Sequence, residues 1–138
     1  MMAVYSVTFP WGSYCACLEA EVRGGVDLES EVLMADVEWA SIEDAPVKEK
    51  FGGSIRVRTI WRSSEGATAQ YVEIDPGACW EGIDVHEPGP EEVYVVSGIF
   101  NDGVRDYPAG TFIHNPVGSS HVPQSKTGCA IFVFYPEG

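Results

Sequence analysis

Between Gly77 and Ser125, two short blocks set histidine and carboxylate side chains at strand-type spacings between turn residues. The first reads Asp84-Val85-His86, four residues, Glu91, six residues, Gly98. The second reads Gly110, five residues, Pro116-Val117-Gly118, two residues, His121. Imidazole nitrogens and carboxylate oxygens are the donors that divalent transition metals take, and turn-bracketed strands can bring such donors to one ion. The chemistry expected of this stretch is therefore a metal site inside a small β-barrel.

Glu91 follows Pro88-Gly89-Pro90, which cannot continue a strand, so it opens one, with Glu92-Val93-Tyr94-Val95-Val96 behind it. Alternation puts Glu91 on the face of Val93 and Val95, and Glu92 on the face of Tyr94. A carboxylate sharing a face with two valines points inward, where a metal or a hydrogen-bond network must offset its burial. The alternative is a register that leaves Glu91 at the solvent edge. His86 stands just before the same turn, and Asp84 shares its face if the segment is extended. His121 follows the Pro116-to-Ser120 turn. The third histidine, His114 on Thr111-Phe112-Ile113-His114, is read as packed or hydrogen-bonded in preference to a ligand.

The elements that must position these groups are strands. Ile55 to Trp61 alternates apolar with polar residues, and Gln70 to Ile74 repeats the pattern before Asp75-Pro76-Gly77. Glu92 to Val96, Gly110 to His114 and Cys129 to Tyr135 follow, separated by further turn signals. Many short strands with no long helical period indicate an antiparallel all-β sandwich or barrel. Residues 1–35 alternate loosely around Tyr5-Ser6-Val7-Thr8-Phe9 and Val32-Leu33-Met34, so strands or an extended arm are expected over 1–38. Trp39 to Pro46 holds at most one short turn. Most of the aromatic residues Trp61, Tyr71, Tyr94, Phe100, Phe112, Phe132 and Phe134 are expected in the core. Trp80, beside Cys79, is the candidate wall of a substrate site.

The chain has 138 residues, a single-domain length with no linker or repeat. Its 21 acidic and 8 basic residues give a net charge of −13, which disfavours nucleic acid and anionic membranes as partners. The acidity serves solubility, with a basic protein partner or a cationic substrate as the alternative. No transmembrane run or secretory leader is evident, so a cytoplasmic protein is expected, and Cys15, Cys17, Cys79 and Cys129 are read as reduced, buried thiols.

The two blocks resemble the paired motifs of the cupin superfamily. The first cupin motif runs Gly, five residues, His-x-His, three or four residues, Glu, six residues, Gly. Gly77, Asp84, His86, Glu91 and Gly98 stand at the matching positions, with six residues after Gly77. The second motif is matched by Gly110, Pro116, Gly118 and His121, with Ser125 where Asn is usual. Glu91 to Gly98, Asp106 to Thr111, Pro116 to His121 and Gly128-Cys129 are similar to the ChrR-type cupins. That similarity covers about residues 39–138, and implies a double-stranded β-helix, or jelly-roll, barrel.

Cupins usually offer three histidines and one glutamate to the metal. Carried over, the resemblance implies His86, Glu91 and His121 as ligands, with Asp84 in place of the first histidine. A three-residue spacing would instead put Val85 and Glu87 at the two histidine positions. Two histidines and one carboxylate with open positions suit Fe(II), with Zn, Mn or Ni as other occupants. The implied activity is a small-molecule enzyme, most directly a dioxygenase of a diketone or phenolic ketone. Asp84 would be a fourth ligand or general base, beside Glu91. A metal-dependent cyclase or isomerase, a zinc-binding anti-sigma-like module and a cupin that has lost its metal are the alternatives. The N-terminal strands fit an arm that pairs with a second barrel, so a homodimer is expected.

Overall fold

The computed structural model describes residues 37–138. The strands or arm expected over 1–38, all but its last two residues, and the thiols Cys15 and Cys17 lie outside the described residues.

Within them run β1 (Val47–Lys50), β2 (Ile55–Arg62), β3 (Thr68–Ile74), β4 (Asp84–Val85), β5 (Glu91–Asn101), β6 (Asp106–Pro108), β7 (Phe112–Asn115), β8 (Ser120–His121) and β9 (Cys129–Tyr135). The only helical piece among the described residues is a 3-10 turn, Phe51–Gly53. All pairings are antiparallel. The main sheet runs β1-β2-β3-β9-β5-β6, with β7 also on β5, and β4 pairs with β8 separately. Among the described residues the hydrogen-bond ladder is thus not closed into a continuous barrel.

The core follows from alternation. Ile55 and Val57, Val72 and Ile74, Val93 and Val95, and Cys129, Ile131 and Val133 all turn to one face and are buried together with Phe100. In an antiparallel ladder, directly paired residues share a face. Val57 opposite Val72, Val72 opposite Ile131, and Val133 opposite Val93 therefore form continuous apolar rows. The outward partners are polar or half-exposed. Arg56 bridges to Asp75 at 2.8 Å, and Arg58 pairs with Glu73.

Two expectations need correction. Of the aromatic residues expected in the core only Phe100 is buried; Phe112 is 63% exposed, and Tyr94, Phe132 and Tyr71 continue its row on the outer face, because Val93 and Val95 take the inward positions of β5. Cys79 is exposed on an isolated bridge to Gln124, while Cys129 is buried and burial pushes its thiol up. Strands β1, β4, β6 and β8, of two to four residues, are not anticipated from the sequence, because they carry no apolar–polar alternation bounded by turns.

A bulge between Val95 and Ser97 bends β5 around β9. Gly98 sits just after it at φ +71°, where a Cβ would collide with the Gly128 carbonyl and lie 2.9 Å from Cys129 Cα. Both backbone conformation and space require glycine here. Gly98→Ala is expected to cost about 2 kcal/mol or more, read from guanidinium unfolding. A loss below about 0.5 kcal/mol would show that β5 and β9 do not approach this closely.

Candidate metal centre

The two-residue strands β4 and β8 are short, but they are what brings the two sequence blocks together. Asp84 lies directly opposite His121, and Val85 opposite Ser120. The ladder continues past the strands: His86 N–H donates to the Ser119 carbonyl at 3.0 Å, and Gly118 N–H to the His86 carbonyl at 2.9 Å. The chain can double back because Ser119 N–H closes a turn onto the Pro116 carbonyl at 3.0 Å, with Gly118 at φ +79°. A type II turn needs that positive φ at its third residue.

Glu91 reaches the same place from β5. It is 3% exposed, which excludes a solvent-edge register. One ligand atom from each of Asp84, His86, Glu91 and His121 lies within 4.8 Å of the others. His86 Nε2 is 3.3 Å from His121 Nε2 and 3.3 Å from Glu91 Oε1. His121 Nε2 is 3.7 Å from Glu91 Oε1 and 3.5 Å from Asp84 Oδ2. Val85 and Glu87 are exposed, so the four-residue spacing describes the local chain.

Hydrogen bonds fix two of these groups, Glu91 and His86. Tyr135 O–H donates to Glu91 Oε2 at 2.7 Å, and Asn115 Nδ2 donates to Oε1 at 2.9 Å. Burial, then the Glu91 charge, push the Tyr135 phenol far above its ordinary range, so it remains a donor. His86 Nδ1 lies 2.8 Å from Ser119 Oγ. With its proton given to that hydroxyl, His86 turns the Nε2 lone pair into the cluster. The His121 ring stands edge-on to Phe100, 6.0 Å between centroids, and its buried Nδ1 has no partner among the described residues.

The donor chemistry fits a divalent cation. Glu91 accepts hydrogen bonds from two uncharged donors, Tyr135 and Asn115, and no Lys or Arg pairs with it among the described residues, so its burial calls for a cation shared with the two imidazoles. Two imidazole nitrogens meeting at 3.3 Å need either a shared proton or a shared cation. Ligands about 2.1 Å from one metal stand roughly 3.0–3.4 Å apart, the spacing seen around His86 Nε2. Asp84, one-third exposed, sits at the rim of this set.

A cavity of about 280 Å³ borders Asp84, Glu91 and His121, with Trp80 in its wall. Trp80 packs edge-on against Phe51 at 4.9 Å. His114 is elsewhere: its side chain is 54% exposed on the outer face, with Nδ1 2.8 Å from Glu92 Oε1. Sequence reasoning missed Tyr135, Asn115 and Ser119. The parity of Tyr135 with Ile131 and Val133 signalled an inward side chain, and Asn115 and Ser119 flank the Pro116 turn, but only the pairing of distant strands shows what they touch.

A model of the ChrR Cupin-like domain matches residues 31–137. Among solved structures, an RmlC-like cupin from Shewanella frigidimarina is similar at 23% identity, covering 74% of this chain and 92% of that one, with a TM-score of 0.63. The complex of Rhodobacter sphaeroides SigE with the anti-sigma ChrR matches at 22% identity over 69% of this chain, with a TM-score of 0.57. That match covers 51% of the other chain, about half its length. The polyketide cyclase RemF from Streptomyces resistomycificus matches at 16% identity, 74% of this chain and 80% of that one, with a TM-score of 0.62. Likenesses at these identities carry the fold alone, and the fold is a cupin. No curated protein matches the chain.

Tyr135→Phe leaves Glu91 Oε2 without its donor and is expected to cost about 1–3 kcal/mol in chelator-treated protein. His114→Ala, on the exposed face, is expected to stay within about 0.5 kcal/mol, both variants being read by urea unfolding of the chelator-treated protein. Equal losses for the two would remove the special role given to the Tyr135 hydroxyl.

Proposed function

The chain belongs to the family of ChrR cupin-like domains, and we propose that it is a metal-dependent enzyme acting on a small oxygenated organic molecule, as an Fe(II)-type dioxygenase of a diketone or phenolic ketone. One observation carries this reading: two imidazole nitrogens and the buried Glu91 oxygen converge beside Asp84 at the wall of a cavity. His86, His121 and Glu91 would hold the metal, with Asp84 as a further ligand or as the base. Two histidines and one carboxylate leave positions open for substrate, the arrangement found in non-haem iron oxygenases. Bound there, a divalent metal supplies Lewis acidity and, if it is iron, redox chemistry with dioxygen.

The protein's own contribution is positional. Tyr135 and Asn115 hold both oxygens of Glu91, so the carboxylate cannot swing away when substrate enters. Ser119 does the same for the His86 ring. Asp84 Oδ2 borders the cavity and is less buried than the other three, and in this reading it would accept a proton from an enolisable substrate. Ile55, Val57 and Val72 line the cavity floor and keep water from the reacting end of a bound molecule.

Metal analysis of protein purified without a tag or added metal tests this reading. Near-stoichiometric iron or manganese is expected, falling about tenfold or more in His121→Ala and in Glu91→Gln while the circular dichroism stays β-type. Oxygen uptake with 2,4-pentanedione or a hydroxyacetophenone is expected from the loaded protein and not from either variant. Zinc with no oxygen uptake would replace the dioxygenase with a cyclase, isomerase or regulatory role. No metal in any of the three proteins would overturn the ligand assignment.

A further inference from the structure

The cavity beside the cluster has an electrostatic character opposite to that of the chain. Three of the eight basic residues, Lys48, Lys50 and Arg62, line it. Arg56 and Arg58 are spent on Asp75 and Glu73. Lys48, Lys50 and Arg62 make no ion pair among the described residues. Lys50 Nζ instead sits 5.1 Å above the Trp80 ring, the aromatic wall of the same cavity.

All three residues are exposed, and sheet register explains why they border the cavity. Lys48 is paired with Val57 and Lys50 with Ile55, so both lysines share the face of the buried core residues, while Glu49 takes the other face. Beyond the irregularity between Thr59 and Trp61, Arg62 is paired with Thr68, which is buried and lies opposite Tyr135. Between β1 and the Glu91 strand lie β2, β3 and β9, whose inner faces contribute Val57, Val72 and Ile131. The cavity thus joins a cationic edge, an apolar floor and the His–carboxylate cluster.

Lysines on an edge strand also discourage edge-to-edge pairing. That need is met by lysines anywhere on the strand, and it does not call for Arg62 on β2 in the same cavity. A divalent ion held by Asp84 and Glu91 would be charge-neutral overall, leaving the three cations as the net charge of the cavity.

Resting on the metal reading above, we infer that the substrate is a small organic carboxylate. Its carboxylate is held by Lys48, Lys50 and Arg62, its apolar stem lies on the β2–β3–β9 floor, and its carbonyl or enol oxygen reaches the cluster. The net charge of −13 leaves room for a cationic substrate; the local charge of the cavity reverses that expectation. The volume of about 280 Å³ is at the lower limit of ligand pockets, which fits a single small molecule in preference to a polymer.

The test uses metal-loaded protein and calorimetric titration with phenylpyruvate, benzoylacetate and 4-hydroxyphenylpyruvate, each beside its methyl ester, and with inorganic phosphate. At least one acid is expected to bind about tenfold tighter than its ester, and the preference to shrink as ionic strength rises. In the Lys48→Gln/Lys50→Gln/Arg62→Gln variant the acid is expected to weaken about tenfold, the ester to be unchanged, and the metal content to be kept. Equal binding of acid and ester, an unaffected variant, or no binding of any acid would overturn the inference. Phosphate binding as tightly as the acids would overturn the organic class in favour of a general anion site. The two readings fail separately: a metal-replete protein without acid preference loses only the carboxylate subsite, and a metal-free protein with charge-dependent acid binding loses only the metal.

Discussion

The buried carboxylate of Glu91 is the constraint around which the rest is arranged. It enters the interior at the first residue of β5, on the face occupied by Val93 and Val95. Burying such a charge costs several kcal/mol unless hydrogen bonds and a counter-charge offset it. The fold supplies the hydrogen bonds from two other strands, Tyr135 on β9 and Asn115 on β7. Both strands pair with β5, so the sheet that buries the carboxylate also delivers its partners. The counter-charge is left to whatever the two imidazoles and Asp84 help to bind.

The imidazoles arrive by a different route. They stand on the two-stranded β4–β8 ribbon, which is separate from the main ladder. Few backbone bonds hold that ribbon, so its geometry relies on the Gly118 turn and on bonds such as Val122 N–H to the Asp102 carbonyl, 3.0 Å. The Asp102 carboxylate itself is pushed up by burial, yet ends below its ordinary value because Tyr107 and the Arg105 and Val104 amides donate to it. The loop is thereby fixed beside His121. A rigid sheet holding the carboxylate and a small ribbon holding the histidines is a division that couples metal binding to local order: an ion joining the two would stiffen the ribbon.

Much of this was legible in the residues. Period-2 alternation gave the long strands β2, β3 and β9 and the inward turn of Glu91, because a half-buried strand imposes that pattern on its sequence. Spacing and turn residues marked His86, Glu91 and His121 as candidates, and the resemblance to the cupin motifs joined them with Asp84 into one group. The contributions of Tyr135, Asn115 and Ser119 were not legible, since they depend on which distant strands lie side by side. Lys48 and Lys50 were hidden for another reason: β1, Val-Lys-Glu-Lys, has no alternation of its own, and its register against β2 alone decides which face the lysines take. Net charge says little about the cavity because it sums the whole surface, whereas a ligand responds to the few charges around it.

The central claim is that His86, Glu91 and His121 share one divalent metal ion. Anomalous X-ray diffraction from crystals of the protein as purified, collected on both sides of the iron, manganese and zinc edges, tests it most directly. The expected result is one anomalous peak per chain, about 2.0–2.3 Å from both Nε2 atoms and from a Glu91 oxygen. A map with no peak there, the two imidazoles bridged only by a proton and their Nε2 atoms still 3.3 Å apart, would contradict it.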